Sequence, residues 1–183
     1  MSLHTTRTGT GPALVLLHGL GVSSWMWDDQ VAALSDRFHC VAVDLPGSGA
    51  SSAERWESLA ATADDGAGHV EEVSPDGTAH VVGLSLGGYV ALALVAAHPD
   101  RVRSAVVSGV TTRPLSPAWL YRPLTHLGIR TMRIPAVVRA SARMMRIPPE
   151  ATAAMLADAA RLSPDAAKRV YGELIDGYRT PDL

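Results

Sequence analysis

Residues 79–97 constrain this chain more than any other stretch. Ala79-His80-Val81-Val82 is a short apolar run that ends in glycine, Gly83-Leu84-Ser85-Leu86-Gly87-Gly88 follows it, and Tyr89 to Ala97 is alanine-rich with helical character. A G-x-S-x-G pentapeptide therefore sits where a strand turns sharply into a helix, the setting of a nucleophile elbow. Such a turn holds its serine in a strained backbone conformation and brings neighbours two places away very close. Gly83 and Gly87 leave room for that because they have no Cβ. Ser85 would then stand above the sheet edge at a helix N-terminus, where the dipole and free N–H groups favour developing negative charge. The structural alternative is a glycine-rich turn that only permits close packing.

Length and composition bound the rest. A chain of 183 residues, 47% of them apolar, suits one domain with a substantial core and room for an inserted subdomain. A formal net charge of −2 without a large basic block argues against nucleic acid as a partner. Cys40 is the only cysteine, which rules out an intrachain disulfide and a Cys-based zinc cluster. Residues 1–7 contain no apolar signal region and no later run approaches transmembrane length. The expectation is a cytoplasmic protein without a membrane partner.

The order of elements reads as alternating strands and helices. Leu3 to Thr8 suits a short edge strand, and Ala13 to Leu17 is uniformly apolar, as in a parallel strand buried on both faces. His18-Gly19-Leu20-Gly21 ends it. Ser23 or Ser24 can cap a helix from about Trp25 to Ser35, with Trp27, Val31 and Leu34 on one face. Cys40 to Val43 is a second buried strand, ended by Asp44 and a turn-rich stretch through Ser52. Glu54 to Val73 reads as a helix weakened by Gly66 and Gly68. The elbow strand and its helix follow, then a strand at Ala105 to Val107. Strands alternating with helices imply a parallel sheet with right-handed crossovers.

The pattern changes after Val110. Residues 111–183 contain no clear buried strand. Arg130 to Arg146 is a basic, amphipathic helical stretch broken near Pro135, Pro148-Pro149 opens another helix, and Ser163-Pro164-Asp165 is a strong start signal for a last one. The expected organisation is a core over 1–112, a helical cap over 113–180, and a return toward the core at 181–183.

Three motifs stand in order: His18-Gly19-Leu20-Gly21, Asp44-Leu45-Pro46-Gly47-Ser48-Gly49-Ala50-Ser51, and Gly83 to Gly88. Together they resemble the α/β-hydrolase superfamily, and most of all its small, cofactor-free serine esterases, enol-lactonases and C–C bond hydrolases. The resemblance covers residues 3 to about 110 and continues into a helical cap. It implies an α/β-hydrolase fold, Ser85 as nucleophile, and Leu20 and Leu86 as donors of the oxyanion-hole N–H groups. It also implies that His18 and Gly19 shape the oxyanion loop and that Asp44 orders its own loop. The physics agrees, because strands ending before residues 18 and 83 would be neighbours whose loops meet around Ser85. One such donor is worth roughly 2.7–4 kcal/mol in the transition state.

A serine hydroxyl is a weak nucleophile without a base. Members of this superfamily use a histidine oriented by an acid, in the order serine, acid, histidine. Here no histidine follows His126. His98 ends the helix that Ser85 begins, roughly 20 Å away at about 1.5 Å per residue. His80 begins the elbow strand, some 16 Å away at about 3.3 Å per residue. His39 sits at the wrong end of its strand, His4 on the edge, and His69 in a crossover helix. Only His18 and His126 could approach Ser85. Asp182 is too near the terminus to place. The expected C-terminal strands are missing, which would leave an apolar sheet edge open to self-association. Three readings stay open: a truncated serine hydrolase, a pseudohydrolase that binds without catalysis, and an enzyme that obtains His and acid from a partner chain.

With the missing groups supplied, the reaction would be acyl transfer from a small-molecule ester, lactone or related carbonyl through a Ser85 acyl-enzyme, to water or to another acceptor. Serine at 85 argues against the haloalkane dehalogenases and epoxide hydrolases, relatives with aspartate there. No cofactor and no metal are expected. Trp25 is either a pocket residue or the core anchor of its helix. Trp119, Tyr121, Met144 and Met145 are candidate cap contacts for a small, largely apolar substrate.

Overall fold

The computed structural model describes residues 3–111, 118–176 and 178–181. Residues 13–17 and 40–43 form strands because they are apolar on both sides of the pleat. β1 (Thr5–Thr8), β2 (Ala13–Leu17), β3 (His39–Val43), β4 (Ala79–Leu84) and β5 (Val102–Ser108) make one sheet in the order β1-β3-β2-β4-β5. β1 runs antiparallel to β3, and the other pairs are parallel. β2 and β4 are direct neighbours, with Leu17 opposite Gly83. Side chains alternate in their destination. Val15, Leu17, Val41, Val43 and Val81 enter the larger core, whereas Leu14, Leu16, Cys40 and Ala42 face the smaller one.

Helices cover both faces. α1 (Asp28–Leu34) follows a short 3-10 turn at Ser24–Trp27 and covers the smaller core with Trp27, Val31 and Leu34. α2 (Leu59–Val73) and α3 (Leu86–Ala97) cover the other face around Trp56, Ala63, Val70, Val90 and Leu94. Two local expectations are corrected. The serines at 23 and 24 make no side-chain cap; Asp44 reaches in from the end of β3 and accepts from Ser24 N–H at 2.8 Å. The second helix starts at Leu59 instead of Glu54, because the side chain of Ser58 accepts from Ala61 N–H and sets the boundary there.

Four further helices follow: α4 (Ala118–Thr131), α5 (Pro135–Met144), α6 (Pro149–Arg161) and α7 (Pro164–Asp176). α4 packs on α7, and α5 on α6. The stretch expected over Arg130 to Arg146 with a break near Pro135 falls on the end of α4 and on α5, which starts at Pro135; α4 itself, with Pro123 in its interior, is not among the expected helices. The expected boundary at 112–113 and the terminus from Asp182 lie outside the described residues. α7 is drawn into the larger core through Ala166 and Val170, and Tyr178 stacks edge-on against Tyr89 of α3 at 4.6 Å. Glu173 of α7 accepts from Leu59 N–H, the first amide of α2, with both carboxylate oxygens at 3.0 Å. No helix among the described residues is long and apolar enough to cross a membrane.

β5 is an edge strand, and Val106 at its centre is 61% exposed. α6 is attached to the 3-10 turn at Ser24–Trp27 through a buried carboxylate. Trp25 Nε1 donates to Asp158 Oδ2 of α6 at 2.6 Å, and Asp158 is buried. Removing the indole donor leaves that carboxylate without its partner. Trp25→Phe should therefore cost about 1.5–3 kcal/mol in urea denaturation. Adding Asp158→Leu should recover part of the loss, a non-additivity that a double-mutant cycle reads directly.

Candidate active site

The site is built at the C-terminal ends of β2 and β4. Ser85 joins β4 to α3 with φ +51° and ψ −114°, one of only two non-glycine residues with positive φ among the described residues. Surrounding contacts hold it there. Ser85 N–H donates to Ser108 C=O at the end of β5 at 2.8 Å, and Gly88 and Tyr89 N–H both return to Ser85 C=O. A backbone in this region stores strain and persists only where neighbours over-determine it. The side chain is exposed.

The glycines on either side are required by space. A Cβ on Gly83 would collide with the carbonyl of Gly87, and a Cβ on Gly87 with the carbonyl of Leu17. Gly87 N–H donates to His18 C=O at 3.0 Å, so the first turn of α3 is pressed against the end of β2. A Cβ on Gly19 would lie 3.5 Å from Ser85 Cβ, which puts the loop after β2 directly beside the serine. Leu86 is the first residue of α3, so its N–H has no acceptor within the helix. Leu20 lies in the adjoining loop and packs on the larger core. Neither Leu20 nor Leu86 N–H donates a hydrogen bond among the described residues.

The supporting residues are fully engaged. His18 is buried; its Nε2 accepts from Leu45 N–H at 2.9 Å, which places the ring proton on Nδ1, 2.7 Å from Gly19 C=O. A ring with both nitrogens spent on backbone is a brace between the β2 and β3 loops, with no lone pair left for Ser85. Burial holds its pKa below the ordinary 6.5, opposed in part by the Gly19 hydrogen bond and by Asp44 and Asp158. Asp44 is likewise buried, accepting from Ser24 N–H and Ala50 N–H at 2.8 Å and lying 3.3 Å from His4 Nδ1.

The other histidines are elsewhere. His39 bonds the Val73 carbonyl, His69 the Asp65 carbonyl, His80 the Ser104 hydroxyl and His98 the Asp64 carboxylate. His126 lines a cleft between α4 and α7. No histidine among the described residues is hydrogen-bonded to Ser85. Trp25 points to Asp158, Tyr121 is half-buried on α4, and Trp119, Met144 and Met145 are 75, 81 and 61% exposed on the outside of α4 and α5. Amphipathic spacing alone did not say which face of those helices would be turned away. Met132 packs on the loop after β2: its Cε is 2.6 Å from where a Cβ on Gly21 would stand.

Two outcomes follow from this packing. Gly87→Ala drives a methyl into the Leu17 backbone and should cost more than the roughly 1–3 kcal/mol of ordinary overpacking. Gly68→Ala, in α2 with open space around it, should instead stabilise by up to about 1 kcal/mol. Urea denaturation of the two variants checks both signs. For His18, the unfolded chain takes up a proton at a pH where the folded chain does not. The stability it contributes is present above about pH 6.5 and lost as pH falls through and below that value. The fall in melting temperature between pH 7 and pH 5 should flatten in His18→Gln, and an unchanged slope would reject the assignment.

Comparison with known proteins gives a consistent picture. Residues 12–137 match the family model described as alpha/beta hydrolase fold. The chain is 42% identical over 113 residues to the pimeloyl-[acyl-carrier protein] methyl ester esterase of Nitrosomonas europaea, an alignment covering 60% of this chain and 42% of that protein. The chain thus spans less than half the length of that relative. It is similar to a thermophilic esterase from Thermogutta terrifontis (28% identity, TM-score 0.75, 95% of this chain and 68% of that one). It is also similar to the enol-lactonase of Burkholderia xenovorans (26% identity, TM-score 0.72, 97% and 71%). With a mostly parallel sheet, a strained serine between β4 and α3, and a family match over most of its length, the chain belongs to the α/β-hydrolase fold family.

Proposed function

We propose that Ser85 is the nucleophile of a serine hydrolase acting on an ester, lactone or related carbonyl, and that its base and acid come from polypeptide outside these 183 residues. The observation that carries this reading is the Ser85 backbone, held at φ +51° beside a loop and a helix start whose Leu20 and Leu86 N–H groups are unspent. In the reaction a base takes the Ser85 Oγ proton as the oxygen attacks the carbonyl carbon. The carbonyl oxygen becomes an oxyanion between the two N–H donors. Its collapse breaks the bond to the leaving alcohol, which receives the proton, and water then releases the acid and frees Ser85. The methyl ester esterase relatives support an ester carbonyl as substrate.

The sheet suggests where the base would enter. Strands beside one another in a parallel sheet end on the same side, and the end of β5 already touches Ser85 through Ser108. A further strand paired on the open β5 edge would deliver its C-terminal loop to the serine. A non-catalytic binding protein is the second reading, favoured by the lack of any histidine bonded to Ser85 among the described residues.

A fluorophosphonate probe separates the two. In this chain, labelling should occur at Ser85 and be slower than in a complete triad by about 10²–10⁴, the contribution of a general base. Added imidazole should accelerate it, and Ser85→Ala should abolish both basal and imidazole-dependent labelling. Wild-type protein that stays unlabelled at saturating imidazole would leave the binding reading standing.

A further inference from the structure

The cap holds a cationic cleft that the chemistry at Ser85 does not use. A cavity of about 610 Å³ between α4 and α7 is lined by His126, Ile129, Arg130, Arg133, Pro164 and Lys168. Helical spacing brings them together. His126, Ile129 and Arg130 follow at i, i+3 and i+4 on α4, Arg133 lies in the turn just after it, and Pro164 and Lys168 stand at i and i+4 on the facing helix. Ile129 is buried and Pro164 half-buried, giving the cleft an apolar floor.

The cations are weakly committed. Arg130 makes no hydrogen bond or ion pair among the described residues. Arg133 donates through Nη2 to the Ala160 carbonyl at 3.2 Å, and Lys168 lies 3.5 Å from Asp165. Glu173, the next acid along α7, is already used by Leu59 N–H. The imbalance extends to the whole cap. Residues 118–176 carry nine Arg and Lys against five Asp and Glu, whereas residues 3–111 carry five against twelve. A chain that is slightly acidic in total thus concentrates its positive charge in residues 118–176, and Arg130, Arg133 and Lys168 of that set line this cavity.

We propose that the α4–α7 cleft is a binding site for a phosphate-bearing organic anion. Two guanidinium groups and an ammonium match a dianionic phosphate, since planar guanidinium forks bind its oxygens in pairs. A single carboxylate would leave the cleft with excess positive charge. The Ile129 and Pro164 floor takes the organic body, and the volume lies within the roughly 300–1,000 Å³ of small-molecule sites. The site stands independently of the role given to Ser85.

Calorimetric titration of the 183-residue protein with pyrophosphate and with phenyl phosphate, at constant ionic strength, tests this. Saturable one-to-one binding is expected, weakened roughly tenfold or more by Arg130→Gln/Arg133→Gln, the loss of charge-assisted hydrogen bonds. Lys168→Gln, on the other helix, should weaken it several-fold and provides the test should the arginine pair fail to fold. Arg139→Gln/Arg143→Gln removes the same charge from α5 and should leave binding unchanged. Absence of saturable binding, equal weakening by the α5 pair, or succinate binding as tightly as pyrophosphate would each overturn the proposal.

Discussion

The structure depends on one backbone contact, the close approach of Gly87 to the end of β2. Gly87 N–H bonds the His18 carbonyl, and no Cβ fits between Gly87 and Leu17. This contact draws the start of α3 down between two parallel strands, and the tight turn that results puts Ser85 at positive φ. It also aligns the first free N–H of α3 with the loop after β2. A strained serine and a packed strand–helix unit are consequences of the same few ångströms. Strain of this kind costs on the order of 1–3 kcal/mol and needs a rigid surround to maintain it.

That surround is polar as well as apolar. His18 spans the β2 and β3 loops with both ring nitrogens, and Asp44 ties the 24 and 50 amides to the end of β3. Each group is buried and satisfied, the condition under which buried polar groups rigidify instead of destabilising. α6 joins the same framework through Asp158 and Trp25, and α7 through Glu173 at the start of α2. α6 and α7 are therefore fixed by directional bonds, while Met144 and Met145 at the end of α5 are exposed.

Several features were legible in the sequence because they rest on local rules. Uniformly apolar runs gave β2 and β3, the glycine pattern marked the turn at Ser85, and Ser163-Pro164-Asp165 marked the start of α7. Others were not, because a distant partner decided them. The capping acceptor for Ser24 comes from Asp44, twenty residues on, and α4 forms across Pro123 because it packs on α7. Periodicity marked residues 130–146 as amphipathic without showing which way the apolar face points, and Met144 and Met145 are exposed.

By itself the sequence determined the order of strands and helices, the family, and the identity of the residue at the sharp turn. These follow from side-chain size, spacing and the absence of Cβ atoms at Gly83 and Gly87. It also left two histidines, His18 and His126, as partners for Ser85. Tertiary structure decided between them and engaged neither. His18 is consumed by Leu45 N–H and the Gly19 carbonyl, and His126 faces a cleft with Arg130 and Lys168. A lone pair already holding a backbone proton cannot take another, and that is visible only once the strands that bring His18 and Leu45 together are in place.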